Sequence, residues 1–180
     1  MTTASVSAVR YDTRTIWFHW LTAILVVGQW IGAKTIDLWP ARALRIDAIS
    51  THIAVGILLG LLVLVRIWWR ITNGRRLPEV GGGILPLLAK AMHWGFYLAI
   101  LIVVALGLTM ISMHSFSYFN LFMLPVVTAG SRQLVRSVKG YHDLLATTIL
   151  IAAGLHAAIA LVHQYVWRNG VLARMIPQLG

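Results

Sequence analysis

Four long apolar stretches constrain this chain more than any other feature. They run from about 15 to 36, 48 to 69, 90 to 111 and 141 to 167, and each is almost free of charge at its centre. About 20 apolar residues in a helix cover the roughly 30 Å of bilayer hydrocarbon. In lipid every backbone N–H and C=O must find its partner within the segment, so each stretch is expected to be a helix. Composition agrees: 59% of residues are hydrophobic, 11% are charged, and the mean hydropathy is +0.80. The expected fold is all-α, an integral membrane four-helix antiparallel bundle forming one domain over residues 1–180.

The segments between the spans are short and leave no soluble domain. Asp12 or Thr13 is a candidate N-cap for the first helix. "NGRRLPEVGGG" reads as a turn between the second and third. Residues 112–140 form a longer connection, in which "FNLFMLPVV" is expected to lie along the membrane interface. The N-terminal "MTTASVSAVRYDTRTIW" has no small-residue cleavage site after an apolar run, so the first span should stay in the mature chain. The chain contains no cysteine, which excludes disulfides, thiolate zinc sites and cysteine-held iron–sulfur clusters.

The formal charge of +10 is read as topology and lipid anchoring rather than nucleic-acid binding. One side carries Arg10, Arg14, Arg66, Arg70, Arg75, Arg76, Lys90, Arg168 and Arg174, and tryptophans cluster near it. The other carries Lys34, Arg42, Arg45, Arg132, Arg136 and Lys139. The richer side is expected to be cytoplasmic, with both termini there. The outer side is still basic, with only Asp37, Asp47 and Asp143 to offset it. Topology does not require that surplus, so it invites a functional reason.

Within this apolar background the histidines stand out. The stretch "HDLLATTILIAAGLHAAIALVH" holds His142, His156 and His163 on one helical face, because fourteen and seven residues make nearly whole numbers of turns. His52 lies near the outer end of the second span, at the depth of His142. His19 lies about two turns into the first span, at the depth of His156. This gives two stacked pairs, His52 with His142 and His19 with His156. Imidazole in lipid is costly without a partner. Two facing neutral imidazoles are what a six-coordinate haem iron takes, and no thiolate or carboxylate lies at that depth to complete a zinc tetrahedron. Gly56, Gly60 and the small residues around His156 leave room for a flat macrocycle, or simply let helices approach closely. Without a Cys-x-x-Cys-His motif, such haems would be held non-covalently as two haem b groups.

Several stretches also resemble a known family. "FHW" at 18–20, "THIAVGILLGLLVLVRIWWR" at 51–70, "MHWGFY" at 92–97, "KGYHDLLA" at 139–146 and "GLHAAIALVHQYVWRNGVLARMIP" at 154–177 are similar to the bacterial cytochrome b561 family, especially its short four-helix members of the superoxide oxidase type. The resemblance covers nearly the whole chain. It implies two haem b groups ligated at His19, His52, His142 and His156, and electron transfer from periplasmic superoxide to ubiquinone in the membrane, with oxygen released. It also favours a quinone role for His163, near the inner boundary. His93, at similar depth, either lines the same pocket or bonds a neighbouring helix. His114 is read as a solvated loop residue. Arg66 and Arg70 either pair with haem propionates or anchor the helix end by snorkelling. Arg132, Arg136 and Lys139 either contact lipid phosphate or steer an anion such as superoxide, and the resemblance favours steering.

Two function classes follow. One is a self-contained superoxide:quinone oxidoreductase with no obligate protein partner. The other is a haem b anchor subunit that relays electrons between a separate dehydrogenase and quinone. A transporter without haem is disfavoured because the spans lack a substrate-binding carboxylate.

Overall fold

A computed structural model describes residues 10–75, 77, 78 and 82–176. Arg76, residues 79–81 of the turn and the N-terminal residues 1–9 lie outside the described residues. Four long helices dominate: α1 (Thr13–Thr35), α2 (Arg42–Thr72), α3 (Leu85–Ser112) and α4 (Arg132–Tyr165). All four are long and apolar enough to cross a membrane, so the chain is a multi-pass membrane protein with an all-α bundle fold. Consecutive helices run antiparallel. α1 packs closely on α2, α3 on α4 and α2 on α3, while α1 and α4 pack more loosely than these.

α2 and α4 begin earlier than hydropathy marks, at Arg42 rather than about 48 and at Arg132 rather than about 141. At about 1.5 Å per residue, helices of 31 and 34 residues outrun the hydrocarbon by several turns. Hydropathy finds the part of a helix in lipid. Capping finds its end, and Ser131 caps α4 by accepting from the Leu134 N–H at 3.2 Å. The extra turns carry Arg42, Arg45 and Asp47 on α2, and Arg132, Arg136 and Lys139 on α4, out beyond the apolar zone.

The connection between α3 and α4 is not wholly irregular. Its central part is a two-stranded antiparallel hairpin, β1 (Phe116–Tyr118) and β2 (Phe122–Leu124). Phe119 and Asn120 both have positive φ, 51° and 57°, and the Leu121 N–H closes the turn on the Tyr118 carbonyl at 3.0 Å. Side chains rarely adopt that backbone, and here α2 holds it. The Phe119 N–H donates to Oγ of the fully buried Ser50 at 2.8 Å, and the Asn120 amide donates to Asp47 at 2.8 Å. The first turns of α2, from Ala43 to Ser50, therefore serve as the dock for the hairpin. This end of the bundle is called the hairpin face.

At the opposite, terminal face the chain ends are tied together. Asp12 caps α1 by accepting from the Thr15 N–H at 2.9 Å and from its hydroxyl at 2.7 Å. It also accepts from the Trp69 indole and the Arg75 N–H, both at 3.3 Å, which joins the start of α1 to the end of α2. Burial works against its ionisation, but these hydrogen bonds outweigh it and hold the Asp12 pKa below the usual carboxylate value. The segment after α4 folds back across this face. The Trp20 indole donates to the Met175 carbonyl at 3.0 Å, and Arg174 donates to the Pro78 carbonyl at 2.8 Å.

The tightly packed part of the interior is small. Leu59, Val63, Tyr97, Ile100 and Ile149 form a buried cluster supplied by α2, α3 and α4. Among the described residues, the only buried residue of α1 is Thr22. Gly60 lets α2 and α3 close up: a Cβ there would lie 3.2 Å from a methyl of Val104.

Candidate functional site

The structure brings the four histidines together in the two pairs that helix depth suggested. Near the hairpin face, His52 of α2 and His142 of α4 have ring centroids 6.2 Å apart. His142 is oriented by α3. Its Nδ1 lies 2.9 Å from the Val103 carbonyl. A carbonyl only accepts, so Nδ1 carries the proton and Nε2 keeps its lone pair for a ligand. One turn along α3, Gly107 admits the ring: a Cβ there would lie 3.3 Å from His142 Cε1. On α2, the His52 carbonyl accepts from the Gln29 amide at 2.7 Å, and that amide passes over Gly56. The Nδ1 of His52 is buried with no hydrogen-bond partner.

Nearer the terminal face, His19 of α1 and His156 of α4 have centroids 6.3 Å apart. Their surroundings are charged. Arg66 of α2 turns inward, with Nη2 3.1 Å from His19 Nδ1 and its guanidinium 5.3 Å from the centre of the buried Tyr97 ring. Snorkelling does not describe it. Arg70, one turn on, is exposed. His93 of α3 also faces His156, at 5.7 Å between centroids, and its Nδ1–H donates to the Ala89 carbonyl at 2.6 Å. Phe96 lies against His156 as well, at 5.9 Å.

These separations can be tested against a haem. An iron–imidazole bond is about 2 Å, and a ring nitrogen lies about 1.1 Å from its ring centre, so two imidazoles that shared one haem iron would have centroids up to about 6.2 Å apart. Both pairs meet that value. His93 and His156, at 5.7 Å, stand further from it, so His19 is the better partner for His156. His142 and His156 are fourteen residues apart on α4, which separates the two levels by about 21 Å along the helix. A bare metal ion fits less well: among the described residues, no group of three or more His, Cys, Asp or Glu side chains is placed to hold one. The two glycines read as making room for a macrocycle instead face protein, Gly56 the Gln29 amide and Gly60 Val104. Close helix approach accounts for both.

The other sequence candidates separate into distinct places. His163 is half-buried near the end of α4, with its ring edge-on to Trp167 at 4.4 Å and its Nδ1 2.7 Å from the Asn169 amide nitrogen. The amide donates there, so the ring proton sits on Nε2, available to an external acceptor. His114 is exposed at the hairpin face. Arg132, Arg136 and Lys139 are exposed on the protruding turns of α4, but Lys139 is paired with Asp143, one turn away. That pairing reduces its weight as a free cation and leaves the two arginines as the stronger charges. The sequence reading missed the Val103 carbonyl, Gly107, Tyr97 and Asn169. All but Asn169 act across helix interfaces, where a one-dimensional pattern carries no signal. Asn169 follows the helix end in "RNG", which reads as an ordinary stop.

Comparison with known proteins adds a family. The model of the family described as prokaryotic cytochrome b561 matches residues 10–178. A probable superoxide oxidase CybB of Yersinia pestis is 30% identical over 94% of this chain and 97% of its own length. A cytochrome b562 of Cereibacter sphaeroides is 30% identical over 92% of this chain and 94% of its own. Cytochrome b561 homolog 2 of Escherichia coli K12 is 26% identical over 93% and 91%.

Proposed function

The chain belongs to the prokaryotic cytochrome b561 family, and from that premise we propose that it is a di-haem oxidoreductase carrying electrons from superoxide at the hairpin face to ubiquinone near the terminal face. The family makes it a membrane electron-transfer protein with b-type haem. The observation that carries the finer reading is the pair of histidine separations, 6.2 and 6.3 Å, at two levels of one bundle. His52 and His142 would hold one haem b, and His19 and His156 the other. Bound there, the haems supply one-electron carriage between the two faces.

The chain's own residues account for the two ends. At the hairpin face, Arg136 and Arg132, with Lys139 behind them, present positive charge to a small anion and raise its rate of arrival. Oxidising superoxide to oxygen releases an electron and no proton, so no base is needed there. At the other end, one ubiquinone takes two electrons and two protons while two superoxides become two oxygens. His163, with its proton on Nε2, would donate to a quinone carbonyl; His93 faces His156 instead, and its Nδ1–H is already given to the Ala89 carbonyl. The name of the Yersinia pestis relative supports superoxide as the donor. The terminal face would then be cytoplasmic, in a bacterial inner membrane, which agrees with its larger share of basic residues.

The test is direct. The protein purified alone should show two b-type haems per chain, become reduced on mixing with superoxide, and pass electrons to a soluble ubiquinone analogue. A protein that accepts no electrons from superoxide, but does so from a co-purifying dehydrogenase, would replace this reading with that of a relay subunit.

A further inference from the structure

The two histidine pairs differ in the charge held beside them, and the difference runs along the proposed path of the electron. Near the terminal face a whole positive charge stands inside the bundle: the Arg66 guanidinium, 3.1 Å from His19 Nδ1 and 5.3 Å from the Tyr97 ring centre. Tyr97 is 3% exposed, so one wall of that site excludes water. Near the hairpin face the contact to His142 is an uncharged carbonyl at 2.9 Å, and His52 Nδ1 has no partner. The nearby charges at that end, Lys139 and Asp143, are exposed and neutralise each other.

Both environments act on a group that gains an electron. A fixed cation in a low-dielectric site favours the reduced, less positive form. A carbonyl accepting the Nδ1 proton makes the imidazole a stronger donor to its ligand and favours the oxidised form. Arg66 has no acceptor atom, so in its contact with His19 the proton sits on Nε2. Ligation through Nε2 would return that proton to Nδ1 and turn Arg66 aside, yet its tether on α2 keeps the charge within a side chain's reach.

Resting on the two-haem reading above, we propose that Arg66 is a positioning residue that makes the His19–His156 site the stronger electron acceptor, so that transfer from the hairpin face to the terminal face runs downhill. It acts through the electrostatics of the site and touches no substrate. His93 and Tyr97 share the site but bring no fixed charge, and Arg70 is exposed to screening.

The experiment is an optical redox titration of the purified holoprotein. His52→Ala, which should keep only the terminal-face haem, and His156→Ala, which should keep only the other, assign the two waves. The His19–His156 wave should lie at the higher potential. R66Q should shift it downward by at least a tenfold change in the electron-sharing equilibrium, about 59 mV for one electron. The other wave should stay in place, and R66K should restore most of the shift. A terminal-face wave at or below the other in the parent protein overturns the proposal, even if R66Q does not retain its haem. So does an R66Q wave that stays put, or one that moves together with its neighbour. Failure of the underlying reading looks different: no b-type spectrum at all, or one and the same haem lost in His52→Ala and His19→Ala.

Discussion

Near the hairpin face, His142 is held by a backbone carbonyl of α3 and His52 Nδ1 by nothing. Near the terminal face, His19 is held by a guanidinium from α2, and two more aromatic side chains of α3, His93 and Phe96, crowd His156. Yet the two separations differ by only about 0.1 Å. Helix packing sets the spacing, because α4 contributes to both pairs and its partners stand at similar distances from it. The chemistry of each site is set by whichever third helix faces the pair. One bundle can therefore repeat a ligand geometry and vary what surrounds it.

The sharpest way to break this comparison is to remove ligands. His52→Ala and His142→Ala should each abolish the same haem, and His19→Ala and His156→Ala should each abolish the other, as counted by pyridine haemochrome assay and low-temperature spectra. Loss of the terminal-face haem in the His52 variant would show that the pairs exchange partners. The next effect lies at the acceptor end. His163→Ala should leave both spectra intact and slow quinone reduction by about a hundredfold, the low end for loss of a proton donor. Stopped-flow reduction by superoxide should be unchanged, and normal quinone turnover would remove His163 from the site.

A smaller effect is expected from the exposed charges of α4. Replacing Arg132, Arg136 and Lys139 together by Gln should lower the bimolecular rate with superoxide several-fold and flatten its salt dependence, since such charges are screened beyond about 8 Å at physiological salt. Arg136→Gln alone should matter more than Lys139→Gln alone, because Asp143 already offsets Lys139. A salt-independent parent rate would return these charges to lipid contact.

The smallest effect concerns the tie at the terminal face. Asp12→Ala should cost about 1 kcal/mol as a lost N-cap. The Asp12 pKa is depressed in the fold, so its contribution is present above the unfolded carboxylate value and is lost as pH falls through the folded one. The melting difference between parent and variant should thus be full at pH 7 and shrink below about pH 4. A gap that persists at acid pH would mean that the carboxylate charge is not what the cap uses.

Much of this molecule was readable before folding. Four apolar runs could only be membrane helices, because lipid offers the backbone no other partner. His52, His142, His19 and His156 could be matched in depth because a helix converts residue number into height at a fixed rise. Asp12 announced a helix start by its side-chain chemistry. Height along a helix is local information, and so is the choice of cap.

What only the tertiary structure decided lies across helices. That Arg66 points inward at His19 rather than out to the headgroups depends on where α1 and α3 stand. That the Val103 carbonyl accepts from the His142 Nδ1–H depends on Gly107 admitting the ring. That residues 116–124 form a hairpin depends on Ser50 and Asp47 of α2 holding a backbone turn which Phe119 would not adopt alone. Hydropathy also could not place the starts of α2 and α4, since those turns lie outside the lipid and obey capping and docking instead. Each of these outcomes joins residues far apart in the chain. Their free energy comes from contacts that exist only after the helices have packed.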